Sequence, residues 1–302
     1  MKDGFIKVAA GTPDVQVADC EFNAAEIIKM VREMEAEGAK VMVFPELCIT
    51  AYTCGDLFWQ ENLLEEAKVQ LVRIAEETAD VDAIIFVGLP LEYKGKLYNV
   101  AAGLNHGEIL GFVPKTYLPN YNEFYEARYF TSGEDVDGTV TIRRSEYGLH
   151  HDEEMTDEDV EFGLEAELEA LEEEDSFEEL EEIDEEPDYI DEDETEEFDE
   201  VDVPISSNIL FICQEMPKLK IAAEICEDLW VPNPPSVGHA YHGANLIVNL
   251  SASDEVVGKD SYRKSLVSAQ SARLLCGYIY ATAGEGESTQ DVVYGGHNLI
   301  AE

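Results

Sequence analysis

Leu219-Lys-Ile-Ala-Ala-Glu-Ile-Cys-Glu-Asp-Leu-Trp230 decides the reading of this 302-residue chain. Residues 219–225 form a short apolar run of strand length. The run stops at Cys226, Glu227 and Asp228, and beyond Trp230 the prolines at 232, 234 and 235 forbid continued pairing. A thiol therefore falls where a strand breaks into a turn, beside newly exposed backbone N–H groups. Such donors stabilise both a thiolate and a later oxyanion. A lone cysteine at a strand end is ordinarily buried and inert. Its company decides otherwise here.

Two more segments have the same strand-then-polar form. Lys40-Val-Met-Val-Phe-Pro-Glu46 ends a hydrophobic strand in a carboxylate, and Leu110-Gly-Phe-Val-Pro-Lys115 ends another in an ammonium, with Glu123 eight residues on. Glu, Lys and Cys at three strand ends resemble the active constellation of the nitrilase (carbon–nitrogen hydrolase) superfamily. The finer resemblance is to the glutaminase domain of the glutamine-dependent NAD synthetase family. It rests on Pro114-Lys-Thr-Tyr-Leu-Pro-Asn-Tyr-Asn-Glu-Phe-Tyr-Glu126, Glu227-Asp-Leu-Trp-Val-Pro-Asn-Pro-Pro235, Asn249-Leu-Ser-Ala-Ser253 and Ala283-Gly-Glu-Gly-Glu-Ser288. Four motifs in one order are specific where each alone is not.

The resemblance implies an α/β fold, a four-layer αββα sandwich, with residues 1–302 as one glutaminase domain. It also implies a reaction. Amide hydrolysis needs a nucleophile, a proton carrier and a home for the oxyanion. Cys226 supplies the nucleophile, and its thiol needs a base because a free thiol has a pKa of about 8.5. Glu46 is the candidate base. Lys115 suits the oxyanion, together with the N–H of Glu227, and keeps Glu46 ionised. Glu123 is expected to orient Lys115 and Glu46. Taken singly, Glu46 and Lys115 would read as an ordinary ion pair at a sheet edge.

For substrate the resemblance places Tyr52, Tyr121, Glu227 and Ser253 near L-glutamine, where a carboxylate suits the α-ammonium and hydroxyls the α-carboxylate. Phe124 and Trp230 are expected to wall the pocket. Lys259 stands where relatives carry arginine; it keeps the charge but loses the bidentate fork. No cofactor is expected for this reaction. A C-terminal NAD synthetase domain, using ATP and Mg to amidate deamido-NAD, is the implied partner. Its Ser-Gly-Gly-x-Asp-Ser loop is absent from the sequence, as is a Walker-type phosphate loop. The alternative enzyme is a freestanding nitrilase-type amidase on another small amide or carbamoyl compound. A non-enzymatic alternative is an idle scaffold whose acidic segment binds a basic partner.

Charge sets the remaining bounds. The formal net charge is −48, but 31 of the 67 acidic residues lie between positions 152 and 202, where there is no Lys or Arg. The rest holds 36 acids against 19 bases, a net −17 that a compact domain tolerates. Such a field repels nucleic acid and anionic membranes. No run reaches the roughly 18 apolar residues of a membrane helix, and the N-terminus has no signal-peptide core. Six scattered cysteines without Cys-x-x-Cys pairs read as reduced thiols of a cytoplasmic protein. His239 and His242 lack further ligands, so no metal is expected. Family habit implies a homo-oligomer.

Along the chain, helices are expected over 19–38 and 61–79, and strands over 5–11, 40–44 and 83–89. A hairpin is expected over 97–104 and 108–113. Residues 134–202 read as an acidic low-complexity insertion, a solvated loop in which Leu164, Leu168 and Leu171 have the spacing of one or two helical turns that like charges four apart oppose. Strands follow over 208–213, 218–225, 245–250 and 277–283, with helices over 237–243 and 261–275. A last hairpin is expected between 291–294 and 297–301. The chain stops at Glu302 in what reads as a strand, so the implied fold is expected to be incomplete at its C-terminus.

Overall fold

The structure, a computed structural model, describes residues 4–143 and 200–302. Two sheets stack face to face between helices. The first has seven strands: β1 (Val8–Ala10), β2 (Val41–Val43), β3 (Ile84–Tyr93), β4 (Lys96–Asn105), β5 (Glu108–Pro114), β6 (Asp137–Arg143) and β7 (Glu200–Ser206), in the order β1-β2-β3-β4-β5-β7-β6. The second holds β8 (Phe211–Ile212), β9 (Lys220–Ile225), β10 (Leu246–Ser251), β11 (Gly277–Thr282) and β12 (Leu299–Ala301), in the order β12-β11-β10-β9-β8.

The period of two along each strand makes the layers. Val41 and Val43 face the second sheet and pack with Ile221, Ala223, Ile225, Val248 and Ile279. Met42 and Phe44, one residue out of phase, join the opposite core with Ile27, Val31, Leu71 and Ile74. Those four lie on α1 (Cys20–Ala36) and α2 (Glu61–Glu77), which cover the outer face of the first sheet. Each large aliphatic so buried contributes about 1.5–3 kcal/mol. Asp19 starts α1 by accepting from the Phe22 N–H at 3.0 Å. On the outer face of the second sheet, Ala222, Ile247, Tyr278 and Tyr280 pack with Val267 and Leu229 under α3 (Pro235–Tyr241) and α4 (Lys259–Leu274). The result is the four-layer αββα sandwich.

Three expectations need correction. The interval 134–202 is not patternless throughout: β6 and β7 pair antiparallel from Asp137 with Ser206 to Arg143 with Glu200, and Phe112 of β5 aligns with Ile205. Residues 144–199, the bulk of the expected insertion, lie outside the described residues. The last hairpin does not form. Leu299 pairs instead with Tyr280 of β11, and Tyr294 bridges Asp254. Third, β3 and β4 form a hairpin of two ten-residue strands turning at Lys94-Gly95, so β3 is longer than the strand expected over 83–89. Among the described residues no helix is long and apolar enough to cross a membrane.

Candidate active site

Polar residues at the C-terminal ends of β2, β5 and β9 meet between the sheets. After β2 the chain turns through Pro45-Glu46-Leu47, with Leu47 at φ 52°. The neighbouring strand presses so closely on this turn that a Cβ on Gly88 would stand 2.3 Å from the Leu47 nitrogen. Only glycine permits that approach. Glu46 is completely buried. Its Oε1 accepts from Asn99 Nδ2 and Lys115 Nζ, each at 2.6 Å, and its Oε2 accepts from the Ala252 N–H at 2.9 Å. The carboxylate is therefore fixed from three sides.

Lys115, equally buried, has a second carboxylate at 2.7 Å, and it belongs to Glu126. Burial works against the ammonium, but Glu126 and Glu46 outweigh it and hold the pKa of Lys115 well above its ordinary value. Glu126 also accepts from the Tyr52 hydroxyl at 2.7 Å. Burial, opposed by Lys115 and aided by Glu46, pushes the Glu126 carboxyl up to about 7. Glu123, expected in this role, instead lines the pocket. The 3-10 turn at Glu126–Arg128 points the later glutamate inward, and its Oε2 is buried without a hydrogen-bond partner.

Cys226 begins the 3-10 turn Cys226–Leu229 with φ 44°, a left-handed conformation that costs a non-glycine residue roughly 1–2 kcal/mol. Two anchors hold it there. Its N–H donates to Asn249 Oδ1 at 3.3 Å, and Asp228 caps the turn through the Ile225 N–H at 2.9 Å. Asn249 in turn donates to the Tyr278 hydroxyl, which donates to Glu224 under the second sheet. Burial first, then the charge of Glu46, pushes the Cys226 thiol up, against the pull of Lys115. Burial and the Glu46 charge both favour the neutral form of the thiol.

A pocket of about 250 Å³ opens at Cys226 and is lined by Tyr121, Glu123, Phe124, Glu227, Trp230, Ser253, Asp254 and Lys259 among others. Tyr121 donates its hydroxyl to both Glu227 oxygens, at 3.0 and 2.9 Å. Lys259 pairs with Asp254 and lies 5.7 Å from the Phe124 ring and 5.5 Å from that of Trp230.

The profile of the carbon–nitrogen hydrolase family matches residues 7–302. The chain belongs to that family. It is 33% identical over 299 residues to the glutamine-dependent NAD(+) synthetase of Mycobacterium tuberculosis (strain ATCC 25618 / H37Rv), a match covering 99% of this chain and 36% of the relative. The protein of that name from Aquifex aeolicus is 27% identical over 284 residues, 94% of this chain and 36% of its own length. The crystal structure of such a synthetase from Cytophaga hutchinsonii superposes with a TM-score of 0.70 at 26% identity, covering 98% of this chain and 39% of that one. An amidase from Nesterenkonia sp. shares the fold, with a TM-score of 0.62 at 15% identity over 99% of this chain and 83% of its own. This chain thus spans 36% of the length of the curated relatives named here.

In this carbon–nitrogen hydrolase most of the expected residues converge. Glu46, Lys115 and Cys226 form the buried set, while Tyr121, Phe124, Glu227, Trp230, Ser253 and Lys259 line the pocket. Tyr52 lies behind the pocket lining, its hydroxyl donating to Glu126. Sequence reasoning passed over Asn99, Glu126, Asp228 and Arg263. Asn99, a lone amide in the apolar run 97–104, carried a visible signal, because a buried amide needs partners. Arg263 is one helical turn beyond Lys259 and completely buried; it donates to Ser253 Oγ at 3.2 Å and to the Asp254 carbonyl at 3.0 Å.

Proposed function

We propose that this carbon–nitrogen hydrolase is a glutamine amidohydrolase that releases ammonia through a thioester on Cys226. The observation that carries the reading is one pocket lined at once by the Cys226 thiol, the Glu227 carboxylate and the Lys259 ammonium. A small amide that also bears an α-ammonium and an α-carboxylate matches those three groups. The naming of its relatives as glutamine-dependent synthetases supports the same choice.

Glu46 takes the thiol proton as Sγ attacks the amide carbon. The tetrahedral oxyanion is stabilised by Lys115 and the N–H of Glu227, donors fixed before the charge develops. Glu46 returns the proton to the amide nitrogen, the C–N bond breaks, and ammonia leaves behind a γ-glutamyl thioester. Water then gives its proton to Glu46 and attacks the carbonyl. Collapse of the second oxyanion expels the sulfur, which Glu46 reprotonates, and glutamate departs. Glu126 takes no proton in this scheme. It holds Lys115 from the side away from Glu46.

The ammonia would serve ATP-dependent amidation of deamido-NAD by a synthetase domain of the kind its relatives' names imply. ATP and Mg belong to that domain. The test is ammonia release by the purified protein from L-glutamine, D-glutamine, L-asparagine and propionamide. L-glutamine is expected to lead in kcat/KM by about a hundredfold or more, since two charged contacts are lost with the aliphatic amide. Equal or faster turnover of propionamide would favour a general amidase.

A further inference from the structure

None of the hydrolytic steps uses the Ala283-Gly-Glu-Gly-Glu-Ser288 motif, yet Glu287 is only 2% exposed. Its carboxylate accepts three hydrogen bonds from one turn: Tyr52 N–H to Oε1 at 2.6 Å, Thr53 N–H to Oε2 at 3.1 Å, and Thr53 Oγ1 to Oε2 at 2.8 Å. That turn follows Ala51, a non-glycine residue at φ 68°, ψ 153°. A backbone held so far from the allowed basins needs outside restraint. Glu287 supplies it by binding the next two N–H groups.

The motif's glycines permit this. A Cβ on Gly286, at φ +93°, would stand 1.8 Å from the Val15 carbonyl oxygen. The loop lies against residues 12–15, and the Val15 N–H donates to the Glu285 carbonyl at 3.2 Å. Ser288 continues the clamp, because its Oγ accepts from the Tyr294 N–H at 3.1 Å. The Tyr294 ring meets Tyr52 edge-on at 6.1 Å. Backbone and ring of Tyr52 are both fixed by 287–294, and its hydroxyl ends 2.7 Å from Glu126.

We propose that Glu287 is a positioning residue for the hydrolysis: it sets the 51–53 turn so that the Tyr52 hydroxyl stays on Glu126 and Lys115 stays aligned between Glu126 and Glu46. This rests on Glu46, Lys115 and Cys226 being the reacting set. The titratable groups facing Glu126 are Lys115, Glu46, Tyr52 and Cys226, and Tyr294 completes the surroundings of Tyr52. Removing the Tyr52 hydroxyl, or letting it swing away, removes a donor that lowers the Glu126 pKa. Both changes therefore raise it.

The test compares Tyr52→Phe, Glu287→Gln and the double variant in the full chain. Glutamine kinetics, melting, and the pH profile of Cys226 alkylation by iodoacetamide are measured for each. Each single change is expected to lower kcat about tenfold while KM stays within about twofold, and the double variant should be no slower than the worse single, since both cut one chain of contacts. The inflection in the alkylation profile that follows Glu126 should move upward equally in both singles. Alkylation needs no glutamine, so a wild-type protein inert to glutamine would sink the glutaminase reading while this inference is still decided. Wild-type kcat and an unmoved inflection in Glu287→Gln, or effects that multiply in the double variant, would overturn the positioning role. Should Glu287→Gln fail to fold, Tyr52→Phe decides: an inflection unmoved by loss of that hydroxyl overturns the proposal equally.

Discussion

The Asp228 carboxylate accepts from the Thr116 and Tyr117 N–H groups at 3.1 and 2.7 Å, tying the strand end that carries Cys226 to the strand end that carries Lys115. With the Ile225 N–H on its other oxygen, one buried side chain spans both sheets beside the proposed reacting groups.

Asp228→Asn tests that tie. The amide turns an NH2 toward a backbone N–H that the carboxylate accepted, leaving at least one buried donor unpaired at about 1–3 kcal/mol. A lower melting temperature is expected, with kcat falling more than glutamine affinity. Wild-type values for both would show that the two strand ends hold their spacing without Asp228.

Lys115→Met keeps most of the stem volume and removes the charge. Two carboxylates, Glu46 and Glu126, would then be buried without their cation. The variant should lose stability by about 3–5 kcal/mol at neutral pH, the usual cost of breaking a buried pair. Separately, kcat of the folded fraction should fall roughly a hundredfold or more, with glutamine affinity little changed. Melting loss is expected on either view of Lys115, so the kinetic arm is decisive. A folded variant with unchanged kcat would end the oxyanion role.

Glu126 and Glu123 should separate cleanly. Glu126→Gln is expected to cut kcat at least about tenfold, because Lys115 loses one of its two anchors, whereas Glu123→Gln should act chiefly on KM. Stability gives a second readout. The folded-state pKa of Glu126, about 7 against an ordinary 4.5, means the folded protein holds this proton more tightly than the unfolded chain. Its contribution is therefore fully present below about pH 4.5 and is lost as pH rises through about 7. The drop in melting temperature from pH 5 to pH 8 should shrink in Glu126→Gln. An undiminished drop would contradict the assignment.

Residues 144–199 hold 30 acidic residues and one arginine, a net charge of −29. Joining Arg143 to Glu200 through a two-residue Asn-Gly turn keeps the β6–β7 pairing and removes that charge. Equal or higher melting temperature at low salt is expected, with the gain shrinking as salt rises. A wider cut from 133 to 202 removes β6 and should melt lower, since Ile142 is buried against the first core. The reverse order of stabilities would contradict this account of the sheet edge.

The layered fold and the burial of Glu46, Lys115 and Cys226 at strand ends were legible for the same physical reason. The largely apolar runs 40–44 and 219–225 mark strands with two buried faces, and a polar residue ending such a run falls where the strand stops. Glu126 was not legible, because a loop holding Glu123 and Glu126 gives no periodicity to say which one turns inward. The pairing of β6 with β7 was obscured for another reason. Glu200-Val-Asp-Val-Pro-Ile-Ser206 alternates as a strand should, but its partner lies 57 residues earlier, across the acidic run. Asn249 and Asp228 act on the backbone of the Cys226 turn, and a left-handed φ at a cysteine leaves no trace in composition.

The most direct measurement is mass spectrometry of the protein mixed with L-glutamine and quenched in acid within the turnover time. One γ-glutamyl group is expected on the peptide that contains Cys226, formed in the wild type and absent from Cys226→Ala, which should stay folded and release no ammonia. A Cys226→Ala variant that still releases ammonia at near the wild-type rate, or a glutamyl adduct on any other cysteine, would contradict the thioester on Cys226.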